Sequence, residues 1–266
     1  MQNSENWKNY VNKIVDNYLI ETGTNAIDVE RIINGFNMGQ RFERVPENPL
    51  QQPDFYCPGL RAQPWHSPDD CAWIKILEKN ADIIIDTYQQ VERDMSELHP
   101  ENNKLADGGS WNSLFFYRAG QCFQDSFIKY PKLGELINSI KGTDTAGSVY
   151  YARLTPGAKI IPHYGPHNYR LRAHMGVRVP KNTFIEVGNV RETWEVGKCI
   201  VFDDSFLHYV ENNSNEERIV FILDVWHPDL TIPEINLIQN VMKNLITTIK
   251  SGSVIEGAPS SVLDFV

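Results

Sequence analysis

Two histidines, His163 and His208, and a set of basic residues near them carry the chemistry this chain could perform. His163 stands in KIIPHYGPHNYRLRAHMG, His208 in FDDSFLHYV, and Arg218 opens RIVFILDVW. Both histidines have strand-like surroundings. Imidazole is a good ligand for Fe(II), and non-haem iron oxygenases hold the metal with two histidines and one carboxylate, leaving positions open for a cosubstrate and oxygen. The carboxylate normally stands two residues after the first histidine. That place is Gly165 here, so the generic pattern is one ligand short.

The residues between the histidines supply charge. Side chains alternate faces along a strand. Over 169–179 the residues Tyr169, Leu171, Ala173, Met175, Val177 and Val179 fall on one face, and Arg170, Arg172, His174, Gly176 and Arg178 on the other. The apolar face packs on a core. The basic face is either a solvated exterior or an anion-binding wall, and the nearness of His163 favours the wall for Arg172 and His174. Guanidinium suits planar carboxylates because it donates two parallel hydrogen bonds. The stretch 218–226 is apolar on both faces, as in a strand buried on both. An arginine at its start needs a partner, because an unpaired buried charge is costly. A bound carboxylate and an internal acid both remain open. Asp203 and Asp204 precede His208. Asp204 shares its face but lies ~13 Å away along an extended strand, which suits a supporting role. His167 reads as a loop residue near the entrance.

These residues need a scaffold. The segment with Trp7, Tyr10, Val11, Ile14, Val15, Tyr18 and Leu19 has the spacing of an amphipathic helix. A second helix starts at Asp28 with Val29, Ile32, Ile33 and Phe36. A Pro-, Gln- and Asn-rich connection covers 38–68. Ser67 can cap a third helix, with Pro68 in its first turn, Asp70 as a capping-box acid and a stripe running from Ile74 to Val91. A loop follows at 97–110. From Trp111 short strands are expected at 111–118, 148–154, 158–163, 169–179, 184–189, 198–203, 207–211 and 218–226, separated by Pro-, Gly- and Asn-containing turns. That series predicts a mainly β sandwich or jelly-roll barrel. Thr231 can cap a last helix over 233–250, before a weakly packed tail. The expected division is a helical region over 1–110 packed on the core, a jelly-roll catalytic core over 111–232, and a C-terminal helix and tail over 233–266, one domain overall.

Bulk properties narrow the classes. The 266 residues suffice for a sizeable core. A net charge of -9 argues against a nucleic-acid partner. No apolar run is long enough for a membrane span, and the N-terminus lacks the form of a secretory signal. Cys57, Cys71, Cys122 and Cys199 show no metal-type spacing and read as free thiols, which fits a cytoplasmic location.

Several long motifs occur in order: PGLRAQPWHSP, TPGAKIIPHYGPHNYRLRAHMGVRVP, W-E-x-G, FDDSFLHYV and RIVFILDVWHPDL. Over roughly 55–230 the chain resembles the aspartyl/asparaginyl β-hydroxylase family. The resemblance implies a double-stranded β-helix and an Fe(II)- and 2-oxoglutarate-dependent dioxygenase that uses O2. It also accounts for Gly165, since family members use two histidines with a glycine in the acid's place. By that resemblance His163 and His208 bind iron, with a water or an aspartate at the remaining position. Arg218 pairs with the distal carboxylate of 2-oxoglutarate, and Arg172 and His174 line the site and contact cosubstrate or substrate. A serine that assists the distal carboxylate is replaced by Ala152. Arg170, Arg172, Tyr117 and Arg118 are the substrate-binding candidates; Tyr117-Arg118-Ala119-Gly120 replaces the family's Trp-Gln-Gln-Gly stretch, and Cys122 has no close partner. The substrate expected is a free amino acid, a small peptide or a metabolite acid. The alternatives are a 2-oxoglutarate-dependent radical halogenase, where a small residue leaves room for halide, and a non-catalytic anion-binding jelly roll.

Overall fold

The alternation of apolar and polar residues sorts the strands into two sheets of a computed structural model, which describes residues 2–38, 48–92, 104–253, 255, 256 and 258. The first sheet has the order β1 (Trp65–His66), β10 (Cys199–Phe202), β7 (Arg170–Arg178), β12 (Arg218–Trp226), β5 (Val149–Leu154), β3 (Trp111–Arg118), β4 (Gln121–Cys122). The second has β2 (Ala106–Asp107), β6 (Lys159–His163), β11 (His208–Asn212), β8 (Thr183–Val187), β9 (Val190–Glu192). From β5 onward the chain crosses repeatedly from one sheet to the other: β5 in the first, β6 in the second, β7 back in the first, β8 and β9 in the second, then β10, β11 and β12 in alternation. This winding is a double-stranded β-helix, the mainly β jelly roll that the spacing of strands predicts.

The described residues gather into two compact units. One comprises residues 63–164 and 170–225 and contains both sheets. One face of its larger sheet is apolar, with Leu171, Ala173, Met175 and Val177 of β7 beside Ile219, Phe221 and Leu223 of β12. Ile74, Leu77, Ile84 and Tyr88 from one helical stretch, and Leu133 and Ile137 from another, share that core. Tyr151 pins sheet to helix by donating its hydroxyl proton to the Ile84 carbonyl at 2.6 Å. Burying each large side chain contributes about 1.5–3 kcal/mol. The opposite face of the same strands carries the polar residues.

The other unit comprises residues 1–62, 165–169 and 226–266. Its core joins the stripe Trp7, Val11, Ile14, Val15 and Tyr18 of the helix Gln2–Thr22 to Leu237, Ile238, Val241 and Leu245 of the helix Ile232–Lys250. Thr231 caps the latter in a capping box with Glu234. His167, read from sequence as an entrance loop residue, is buried here and stacks on Tyr169 at 4.5 Å.

Three helical expectations change. Ser67 does cap, but its hydroxyl accepts from Asp69 and closes only a short 3-10 turn, Pro68–Asp70. Cys71 then takes an extended conformation, and the helix expected to run unbroken is Ala72–Lys79 and Ala81–Val91, separated at Asn80. The span after β4, given no helix from sequence, forms the helices Gln124–Lys129, Pro131–Asn138 and Thr143–Ala146. Pro131 at the first turn, with Leu133, Leu136 and Ile137 after it, is the helix signal in this span. The expected strand at 184–189 ends at Val187 as β8; Gly188 and Asn189, both at positive φ, turn the chain into β9, which was not expected. Parts of the expected connection at 38–68, the loop at 97–110 and the tail lie outside the described residues. The four cysteines are free, and among the described residues no helix is long and apolar enough to cross a membrane.

Candidate active site

His163 and His208, far apart in sequence, are direct cross-strand partners where β6 pairs with β11. Their ring centroids lie 4.1 Å apart. The register slips between His208 and Val210, a bulge of the kind that re-aims a side chain at a barrel rim. A turn feeds β11: the Asp203 carboxylate accepts from the Ser205 backbone N–H at 2.9 Å and hydroxyl at 2.5 Å, and Phe206 N–H returns to the Asp203 carbonyl. Asp203 therefore shapes the approach to His208.

Backbone partners settle the tautomers. Nδ1 of His163 is 2.8 Å from the Ile161 carbonyl, and Nδ1 of His208 is 2.9 Å from the Phe206 carbonyl. A carbonyl only accepts, so each Nδ1 carries the proton and each Nε2 keeps its lone pair. Burial, and for His163 the neighbouring His208, lowers the pKa of His163 to about 3; burial lowers that of His208 to about 4. Both rings are neutral at pH 7. Two adjacent imidazoles with lone pairs free at Nε2 form a donor set fit for a transition-metal ion, with their other nitrogens held by the backbone. Gly165 adds no side-chain donor.

These histidines line a cavity shared with Arg172 and His174 of β7, Arg218 and Ile222 of β12, Tyr150 and Ala152 of β5, and Phe202 of β10. On the polar face of β7, Arg172 and His174 thus turn toward a cavity, while Arg178 at the strand end stays partly exposed. Its arginines, however, are already engaged. Arg172 donates Nε–H to Asp224 Oδ1 at 2.7 Å and Nη2–H to Oδ2 at 3.0 Å. Its Nη1 stands 2.9 Å from Asp204 Oδ2, an ion pair without the alignment of a hydrogen bond. Arg170 lies 3.4 Å from Asp224 and 3.9 Å from Asp204. Burial opposes charge on Asp224, but Arg170 and Arg172 hold its pKa below the ordinary carboxylate value. The reading of an open anion-binding wall is corrected to a balanced cluster of two arginines and two aspartates. Arg172 keeps spare donors at the cavity; most of its charge is answered within the protein.

Arg218 is the opposite case. It is 1% exposed, and its Nε and Nη1 have no hydrogen-bond partner among the described residues. Its guanidinium lies 4.8 Å from the centre of the Trp194 ring. Burial lowers its pKa to about 10. Of the two partners left open by the sequence, no internal acid forms an ion pair with Arg218 among the described residues, and Arg218 lines the cavity. Ala152 lines the cavity and offers no hydroxyl.

Tyr117 and Arg118 are not among the residues lining this cavity. Tyr117 is buried in the helix-facing core, against Phe127, with its hydroxyl 3.3 Å from Asn138 Oδ1. A buried core position does not suit the substrate contact expected of it. Arg118 lies over the Phe115 ring, which in turn packs at a tilt against Tyr150 of the cavity. Sequence reasoning left Trp194, Tyr150 and Asp224 without roles. Trp194 belongs to the W-E-x-G motif, and Asp224 follows Ile222 on the cavity face of β12, so the first signal lies in a motif and the second in the alternation.

The model of the family Aspartyl/Asparaginyl beta-hydroxylase matches residues 78–228. The chain belongs to this family. A mouse protein named aspartyl/asparaginyl beta-hydroxylase is 36% identical over 180 residues, covering 65% of this chain and 24% of its own length. Human aspartate beta-hydroxylase domain-containing protein 2 is 31% identical over 196 residues, covering 70% of this chain and 53% of its own. The chain therefore spans from a quarter to about half the length of these relatives. Among solved structures, a Pseudomonas putida prolyl-4-hydroxylase is similar with 13% identity and a TM-score of 0.34, over 55% of this chain and 86% of that one. The matched span of the β-hydroxylase family model includes His163, His208, His174, Trp194 and Arg218.

Proposed function

We propose that this member of the β-hydroxylase family is an Fe(II)- and 2-oxoglutarate-dependent dioxygenase that hydroxylates an unactivated C–H of a small carboxylate-bearing substrate: a free amino acid, a small peptide or a metabolite. The observation that carries this reading is the unpaired, buried Arg218 in the same cavity as two neutral imidazoles with free Nε2 lone pairs. Iron with 2-oxoglutarate and oxygen, when bound, supplies the oxidation of the C–H. His163 and His208 hold the metal through Nε2. Arg218 anchors one carboxylate of 2-oxoglutarate, and the apolar Ile222, Phe202 and Ala152 exclude water around it. The spare donors of Arg172 orient the substrate carboxylate, with Asp204 and Asp224 holding the guanidinium in place.

The test is anaerobic loading with Fe(II) and 2-oxoglutarate, followed by oxygen and a panel of acidic amino acids and peptides. Succinate release and product mass are the readouts. Coupled succinate and hydroxylated product are expected from the native protein, and neither from His163→Ala or His208→Ala. Coupled turnover surviving in both variants sinks the assignment. The small residue Gly165 favours one second reading, halogenation, which a chloride-dependent product mass in the same assay identifies.

A further inference from the structure

We propose that Trp194 is a positioning residue: its indole N–H fixes the tautomer of His174 so that His174 Nε2–H, together with Arg218, donates to one carboxylate of the cosubstrate. This rests on the dioxygenase reading and extends it to a residue that touches neither metal nor carboxylate.

The argument starts from donor chemistry. An indole nitrogen can only donate. The Trp194 Nε1–H donates to His174 Nδ1 at 3.3 Å, with the two ring planes inclined by 15°. His174 Nδ1 is therefore the acceptor, and in a neutral ring the proton sits on Nε2. That nitrogen is buried without a hydrogen-bond partner among the described residues, and His174 lines the cavity. Burial, and then the positive charges of Arg218 and Arg172, hold the pKa of His174 well below its ordinary value, so the ring is neutral. The result is the reverse of His163 and His208. Those two present lone pairs, as a cation requires, whereas His174 presents a proton, as an anion requires.

The same indole covers the guanidinium of Arg218, so one side chain organises both donors. Phe202 closes the other side of the imidazole, edge-on at 4.9 Å. The chain holds Trp194 there by an unusual approach of backbone to strand. Gly176 pairs with Val196 and receives the Gly197 N–H, and a Cβ on Gly176 would lie 2.5 Å from the Glu195 carbonyl oxygen. A side chain at 176 would push the Trp194 loop away from β7.

The test has two readouts. Long-range proton–nitrogen correlation on histidine-labelled metal-free protein reports each tautomer. The native spectrum should show His174 with its proton on Nε2, and His163 and His208 with theirs on Nδ1 as internal references. Native His174 protonated on Nδ1 overturns the proposal without any variant. Trp194→Phe keeps the ring over Arg218 and removes the N–H; it should move His174 toward the other tautomer. Calorimetry with Fe(II) and 2-oxoglutarate under anaerobic conditions should then show affinity lower by about tenfold. The control is His174→Gln, whose amide N–H needs no tautomer. In that background Trp194→Phe should cost no further affinity, whereas a purely structural Trp194 would weaken both backgrounds equally, which overturns the proposal. Native protein that fails to bind 2-oxoglutarate overturns the dioxygenase reading instead, and the tautomer spectra still decide the role of Trp194.

Discussion

Arg172 and Arg218 line one cavity from neighbouring strands of the same sheet, yet two aspartates answer the first and, among the described residues, no acid answers the second. Arg218 is fully buried and Arg172 largely so, and both must overcome desolvation. Arg172 does so inside the folded chain: burial opposes its charge, but Asp204 and Asp224 raise its pKa well above the usual value. Arg218 does not, and burial brings its pKa down to about 10. The difference separates two uses of a buried arginine. A paired one is part of the architecture that holds a site in shape. An unpaired one is a standing cost that an anionic ligand removes, which is how a binding site differs energetically from a core.

The largest effect should come from breaking the paired end. Asp224→Ala leaves Arg170 and Arg172 facing Asp204 alone and strips the Ser148 N–H of its acceptor. Removing one partner of a buried charge cluster costs about 3–5 kcal/mol. Urea unfolding of the metal-free protein should show that loss. A change under about 1 kcal/mol would mean water already screens the cluster, and the contrast with Arg218 would fail.

The unpaired end should respond in the opposite way. Arg218→Met removes a buried charge that has no acidic partner to strand among the described residues, so the stability of the unliganded protein should hold or rise. Binding of 2-oxoglutarate to the Fe(II)-loaded protein should weaken by about a hundredfold or more. Loss of stability in this variant would show that Arg218 has a structural partner in solution.

The sequence made these two arginines look alike, and the reason is physical. Alternation along β7 and β12 shows which face each residue takes, and Leu171, Ala173, Met175, Val177, Ile219, Phe221 and Leu223 lie where the pattern puts them. Face is a local property. Partnership depends on which strands become neighbours and in what register. Asp224 shares a strand and a face with Arg218, but β7 lies beside β12, and the carboxylate reaches Arg172 and Arg170. The pairing of His163 with His208 is non-local in the same way: residue type and resemblance group them as ligands, but the register that makes them cross-strand partners is set by the neighbouring strands. The break at Asn80 was hidden because an apolar stripe continues across it, with Leu77 before and Ile84 after, both buried. Tyr117 was misread because a departure from a relative's motif marks a difference without saying whether the side chain faces a cavity or a core.

The smallest effect is a pH dependence at the unpaired end. His174 is neutral in the folded protein because burial, reinforced by Arg218 and Arg172, lowers its pKa well below 6.5. In the unfolded chain it titrates near the ordinary value. Between the folded and unfolded pKa values the unfolded state therefore binds a proton that the folded state refuses, and stability rises with pH across that window. The contribution is fully present above about pH 6.5 and is lost as pH falls below it, at a limiting slope of about 1.4 kcal/mol per pH unit. His163 and His208 add slopes of the same sign, so the native protein alone cannot isolate His174. His174→Gln can. Urea midpoints of the metal-free proteins between pH 7 and pH 5 should converge as pH falls, because the variant lacks this one refused proton. Parallel curves would mean that His174 accepts its proton while folded, with Nδ1 turned from acceptor to donor and the Trp194 contact broken. The unpaired end of the cavity would then tolerate a second positive charge beside Arg218, and the contrast with the balanced cluster at Asp224 would lose its electrostatic basis.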